Sequence, residues 1–175
     1  MKKVGESRWH NKVRQTLLQI LPKMKWKWVK SPWYMNVYGD KPITITYPKT
    51  NFSIDYNADA WGLTRKNEID VYEVLDSEMG DRDALVANIT QAAISAKWLG
   101  LICRRDEDED TRKKLNEVDK IAEVIIKNIQ EKSSNKMIKD GYELFEVPSD
   151  IVRSKEMEKE LFREMFDQRY LAMKA

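Results

Sequence analysis

Residues 57–78 read NADAWGLTRKNEIDVYEVLDSE, and their reading decides the fold. The second half, EIDVYEVLDS, is rich in β-branched and aromatic residues, as a strand requires. Ahead of it FSIDYNADAWGL reads as another strand, and TRKN as a polar turn, so residues 52–76 predict a β-hairpin. Side chains alternate across a strand. Ile69, Val71, Glu73 and Leu75 therefore share one face; Asp70, Tyr72, Val74 and Asp76 share the other. Glu73 is a lone carboxylate among apolar neighbours, and must be solvated at an edge, paired, or bound to a cation. A three-residue loop at 65–67 puts Asp59 opposite Glu73, whereas a two-residue loop moves it to the other face. Two carboxylates on neighbouring strands suit Mg²⁺ (or Mn²⁺), which keeps several of its waters. The plain alternative is an edge-strand salt bridge at Glu73, with Asp59 a turn residue.

Outward from the hairpin, ITITY (43–47) alternates as an earlier strand. ESRWHNKVRQTLLQIL (6–21) carries apolar residues at helical spacing and stops at Pro22. Downstream, GDRDALVANITQAAISAKW turns helical after Gly80, with Asp81 or Asp83 as cap. LGLICRR reads as a buried strand, and the acidic run Asp106–Asp110 leads into an amphipathic helix with Leu115, Val118, Ile121 and Ile125 in register. YELFEVP is a last strand, and residues 153–173 a last helix, whose Met157, Leu161 and Met165 stripe predicts packing or a homodimer contact. The expected order is α-β-β-β-α-β-α-β-α: an α/β fold in which a mixed β-sheet is flanked by helices. One domain is expected over 1–175, with its core at about 6–148.

Composition narrows the chemistry. The 175 residues carry a net charge of only +2, but the charge is segregated, with nine Lys or Arg among residues 1–30. One cysteine, Cys103, excludes an internal disulfide and fits a reducing, cytoplasmic setting. One histidine, His10, together with one cysteine, argues against a zinc site of imidazole and thiolate. No apolar run reaches membrane-spanning length. The segment KMKWKWVKSPWY alternates lysine and tryptophan, a combination that can hold phosphates and stack bases. Lys25, Lys27 and Lys30 there, with Lys12 and Arg14 on the first helix, form the expected nucleic-acid-binding patch. The alternative is a strand with tryptophans facing the core.

The hairpin NADAWGLTRKNEIDVYEVLDSE, the later DGYELFEVP and the opening ESRWH together resemble the PD-(D/E)XK nuclease superfamily, nearest its Mrr-like and DNA-repair members. The resemblance spans roughly residues 6–148 and implies a restriction-endonuclease-like fold acting on DNA with Mg²⁺. It implies Asp59 and Glu73 as metal ligands, Glu73 also in the catalytic set, and Glu6 as the helix-borne acid that completes the site. The chain departs from the pattern at Leu75, which occupies the lysine position of Glu73-Val74-Leu75. Lys97, on the following helix, is the candidate for a relocated lysine, and Gln91 a supporting polar group. The implied function is a Mg²⁺-dependent endonuclease; the alternative is an inactive relative serving as a DNA-binding or assembly module.

Overall fold

The computed structural model describes residues 7–25, 31–47, 49–132, 137–150 and 155–174. Helix α1 (Arg8–Ile20) starts where the Ser7 hydroxyl accepts the His10 amide at 3.0 Å, and a 3₁₀ turn containing Pro22 ends it. Strands β1 (Tyr34–Tyr38), β2 (Ile43–Tyr47), β3 (Phe52–Tyr56), β4 (Ala60–Thr64) and β5 (Ile69–Leu75) follow. Next come α2 (Arg82–Ser95), β6 (Trp98–Arg105), α3 (Glu109–Lys132), β7 (Gly141–Pro148) and α4 (Lys155–Lys174). The main sheet runs β1-β4-β5-β6-β7. Its first two pairings are antiparallel and its last two parallel, giving a mixed α/β sheet flanked by helices.

Two expectations need correction. The stretch 52–64 is two strands, not one, because the chain turns at Asn57–Asp59, and β3 leaves the main sheet to pair with β2. The ITITY strand accordingly belongs to a separate two-stranded hairpin, and the edge of the main sheet is β1, which the sequence reading left unassigned. Its pattern is weak: Met35 and Asn36 are exposed and the register slips between Tyr34 and Asn36. The remaining elements fall where the periodicity puts them, except that α2 ends at Ser95 and Trp98 already belongs to β6.

The β4–β5 turn has three residues, Arg65–Asn67. The Thr64 amide donates to the Glu68 carbonyl at 2.8 Å, and Asn67 takes the left-handed conformation at φ 60°. That loop length sets the register of everything beyond it. One sheet face carries Val71, Leu75, Leu99 and Leu101 beneath α2 and α3, where the alanines at 92 and 93 allow close approach. The other carries Tyr72, Val74, Trp98, Ile102 and Phe145 beneath α1 and α4. Leu161 and Met165 of the C-terminal stripe are part of this second core, so they pack within the chain. The acidic run behaves as a helix entry: Asp108 Oδ1 accepts the Thr111 amide at 2.7 Å. Among the described residues, no helix is long and apolar enough to cross a membrane.

Candidate metal centre

Asp59 is the residue just before β4. Ala60 pairs with Tyr72 and Trp61 with Val71, so the same register continued by one step sets Asp59 opposite Glu73. Glu73 lies on the face of β5 that carries Val71 and Leu75, and each acid acts on the other's titration. Glu73 is 7% exposed and the Asp59 side chain 14%. Such burial is costly for two carboxylates unless a proton or a cation joins them.

Each acid has its own supports. Asp59 Oδ2 accepts the Val74 amide at 2.8 Å, and its Oδ1 lies 3.4 Å from His10 Nε2 on α1. The Asp59 carbonyl accepts Arg14 Nε at 3.0 Å, which fixes the backbone ahead of β4. Glu73 accepts the Tyr56 hydroxyl, brought in at the end of β3. Burial pushes Glu73 well above the ordinary carboxylate range and the Asp59 charge adds to it, with the Tyr56 hydroxyl opposing. Burial also pushes Asp59 up, but His10, the Val74 amide and Glu73 together hold it below its ordinary value. The two shifts run in opposite directions, so the pair binds a proton more tightly at Glu73 than at Asp59. A divalent cation can take that proton's place, because two carboxylate oxygens are a donor set that Mg²⁺ accepts while keeping its waters. Among the described residues no group of three or more His, Cys, Asp or Glu is arranged so that it could hold a metal ion.

The other expected site residues are dispersed. Lys97 precedes β6 at the level of Ile69, whose carbonyl accepts its amide at 2.8 Å. Glu73 lies four residues further along β5, or about 13 Å. Its ammonium is held at 3.0 Å from Glu68 and 3.5 Å from Asp140, so Lys97 closes the opposite end of the sheet and does not face the carboxylate pair. Gln91 is exposed on α2 and contributes its carbonyl to the Ser95 hydroxyl. Leu75 is 1% exposed, packed with Met79 and Leu85.

Arg14 is also misplaced as a phosphate contact. It is buried, and its Nη2 donates to the Gly39 carbonyl at 2.7 Å and to Asp40 at 2.8 Å. Its guanidinium is committed to positioning Asp59 and the β1–β2 link. Lys12 is half-buried on α1 and Lys25 is exposed. Glu6, Lys27 and Lys30 lie outside the described residues.

Sequence reasoning missed Tyr56 and the second buried acid of β5. Tyr56 sits three residues before Asp59 at the end of an alternating strand, and only the unexpected β2–β3 hairpin shows why it reaches Glu73. Asp70, on the opposite face, is bound by Arg169 of α4 at 2.8 and 3.1 Å and by the Tyr34 hydroxyl at 2.6 Å. Its partner lies 99 residues away, beyond any local pattern. Compared with protein-family models, with characterised proteins and with solved structures, the chain matches none.

Proposed function

We propose that this domain is a Mg²⁺-dependent phosphodiesterase of the PD-(D/E)XK type acting on DNA inside the cell. The observation that carries the reading is the buried Asp59–Glu73 pair, set by the three-residue β4–β5 loop. The element order agrees with what the resemblance implies: a helix, antiparallel strands ending in the acid-bearing β5, a crossover helix and a parallel strand.

Asp59 and Glu73 would hold the cation. Once bound, it would supply charge neutralisation and a water of lowered pKa for attack on phosphorus. His10 holds Asp59 ionised, and the Val74 amide fixes the direction of its second oxygen. Tyr56 favours the ionised form of Glu73 and orients it.

The test is nicking of supercoiled plasmid in Mg²⁺ or Mn²⁺, with the Glu73→Gln variant purified in parallel. Cleavage by the native chain and none by the variant supports the reading; equal cleavage by both overturns it.

One observation favours a second reading, a non-cleaving DNA-binding or assembly module. Leu75 stands where the resembled family has lysine, and the candidate replacement, Lys97, is tied to Glu68 and Asp140. Salt-sensitive DNA binding without strand cleavage in either metal would select it.

A further inference from the structure

The two edges of the main sheet are built differently. At β1 the register slips between Tyr34 and Asn36, an irregularity that discourages further pairing. At the other edge, β7 pairs with β6 without a break over eight residues. Its sequence, GYELFEVP, has no lysine or arginine, and its proline is the last residue. Among the described residues it has a strand neighbour on one side only. The Pro148 carbonyl at its end accepts the Trp9 indole at 3.0 Å; over the residues before it, this regular edge, without a second strand neighbour among the described residues, is a template for a further strand.

Beside this edge runs a groove. A cavity of about 610 Å³ separates β7 from α3, floored by Leu115 and Leu144 and walled by Asp119, Glu143 and Glu146. A second cavity of about 470 Å³ shares Leu115 and Glu146 and continues the groove to the acidic run 106–109. Arg105 and Arg112 are the cations on these walls. The Tyr142 hydroxyl donates to Asp119 Oδ1 at 2.7 Å and holds one wall in place. Burial, with Glu164 and Asp119 close by, pushes Glu143 above the ordinary carboxylate range.

We propose that β7 and its groove bind an extended, lysine- or arginine-rich segment of a partner protein, added to the sheet as a further strand. Backbone hydrogen bonds to β7 supply register, Leu115 and Leu144 receive apolar side chains, and the acidic walls receive alternate cations. The same acids argue against the other occupants. Two copies joined through β7 would set Glu143 and Glu146 of each against those of its partner, and nucleic acid would be repelled. The site is independent of the Asp59–Glu73 pair, which lies just before β4 and on β5.

The probe is a labelled eight-residue peptide alternating lysine with valine, titrated into the full chain and read by fluorescence anisotropy. Expected are saturable, salt-sensitive binding, loss of at least about tenfold in affinity in the doubly substituted Glu143→Lys, Glu146→Lys chain, and no binding of a glutamate–valine peptide. A lysine–valine peptide N-methylated on alternate amides keeps the charge but loses the strand hydrogen bonds, and should not bind. This last arm needs no altered protein, so it stands even where the charge reversal disturbs folding. Equal binding of the acidic or N-methylated peptide, or no binding of the basic one, overturns the proposal. So does self-association of the native chain that Glu146→Lys abolishes, because the edge would then belong to a second copy.

Discussion

Asp59 and Glu73 stand opposite one another where the β4–β5 register is continued by one step, both largely buried and each acting on the other's titration. The arrangement ties stability to pH. Glu73 holds its proton more tightly folded than unfolded, so ionisation of the unfolded chain above its ordinary value of 4.5 favours unfolding. Stability should fall as pH rises from 4.5 towards the raised value, with a slope of up to about 1.4 kcal/mol per pH unit. Asp59 acts oppositely: its contribution is present above its ordinary 3.8 and is lost as pH falls below that. Glu73→Gln, which keeps the shape of the protonated acid, should flatten the slope above pH 4.5 in thermal unfolding across a pH series. If the substituted and native chains lose stability in parallel, Glu73 is not the proton holder. Adding Mg²⁺ should stabilise the native chain most at the alkaline end, and the Gln variant little.

Tyr56 is a second lever on the same pair. Its hydroxyl donates to Glu73 and opposes the rise in that residue's pKa. Tyr56→Phe should therefore move ionisation of Glu73 to higher pH and shift the pH midpoint of Mn²⁺ binding in the same direction. Loss of one buried hydrogen bond costs about 1 kcal/mol. Carboxyl-carbon NMR of Glu73 checks the direction: an unmoved or lowered midpoint would place the hydroxyl elsewhere in solution.

Leu75→Lys tests the departure from the resembled pattern. The new ammonium would point to the face that carries Glu73, two residues away, where burial opposes an unpaired charge but two carboxylates are at hand. Losing the leucine from the core should cost about 2 kcal/mol or more. If the pair is a phosphodiesterase site lacking only its lysine, plasmid nicking should rise by about 100-fold or more. A destabilised variant whose cleavage stays at the native level would count against the catalytic reading and for the non-cleaving module.

How much of this was legible in the chain depended on distance along it. Alternation over Ile69–Leu75 placed Glu73 on the apolar face, and the 65–67 loop was one of two open registers, which the left-handed Asn67 and the Thr64–Glu68 hydrogen bond decide. Both are local. Lys97 read as helical because QAAISAKW is rich in alanine, yet α2 ends at Ser95 and the lysine already lies in the approach to β6. Arg14 read as a surface cation because helical spacing says which side is apolar, not which long polar side chain crosses that side to reach carbonyls. Strand β3 read as continuous with β4 because nothing between Tyr56 and Ala60 breaks the apolar pattern strongly. Its departure depends on pairing with β2, and that brings Tyr56 to Glu73.

The other buried acid of β5 anchors the C-terminal helix. Arg169 and Asp70 are both fully buried and doubly hydrogen-bonded, and Arg169 also reaches Asp140 at 3.0 Å. Arg169→Ala leaves Asp70 charged or forces it to take a proton, at a cost of about 3–5 kcal/mol. The double variant Asp70→Asn, Arg169→Met removes both charges and should recover much of that loss, as urea unfolding would show. If the single and double variants are equally unstable, the coupling is not electrostatic.

Gly62 sets how closely Tyr34 lies on the sheet. It pairs with Val37 across β1–β4, and a Cβ there would stand 2.5–2.7 Å from three atoms of the Tyr34 ring. The ring cannot simply turn away, because its hydroxyl donates to Asp70 and lies 2.6 Å from the Tyr72 hydroxyl. Gly62→Ala should therefore cost about 1–3 kcal/mol through overpacking and loosen β1 from β4. Pairing the change with Tyr34→Ala relieves the clash but deletes the hydroxyl, so the two losses should be less than additive in urea unfolding. Full additivity would mean that the ring and the glycine do not meet, and that something other than Tyr34 sets the spacing of this edge.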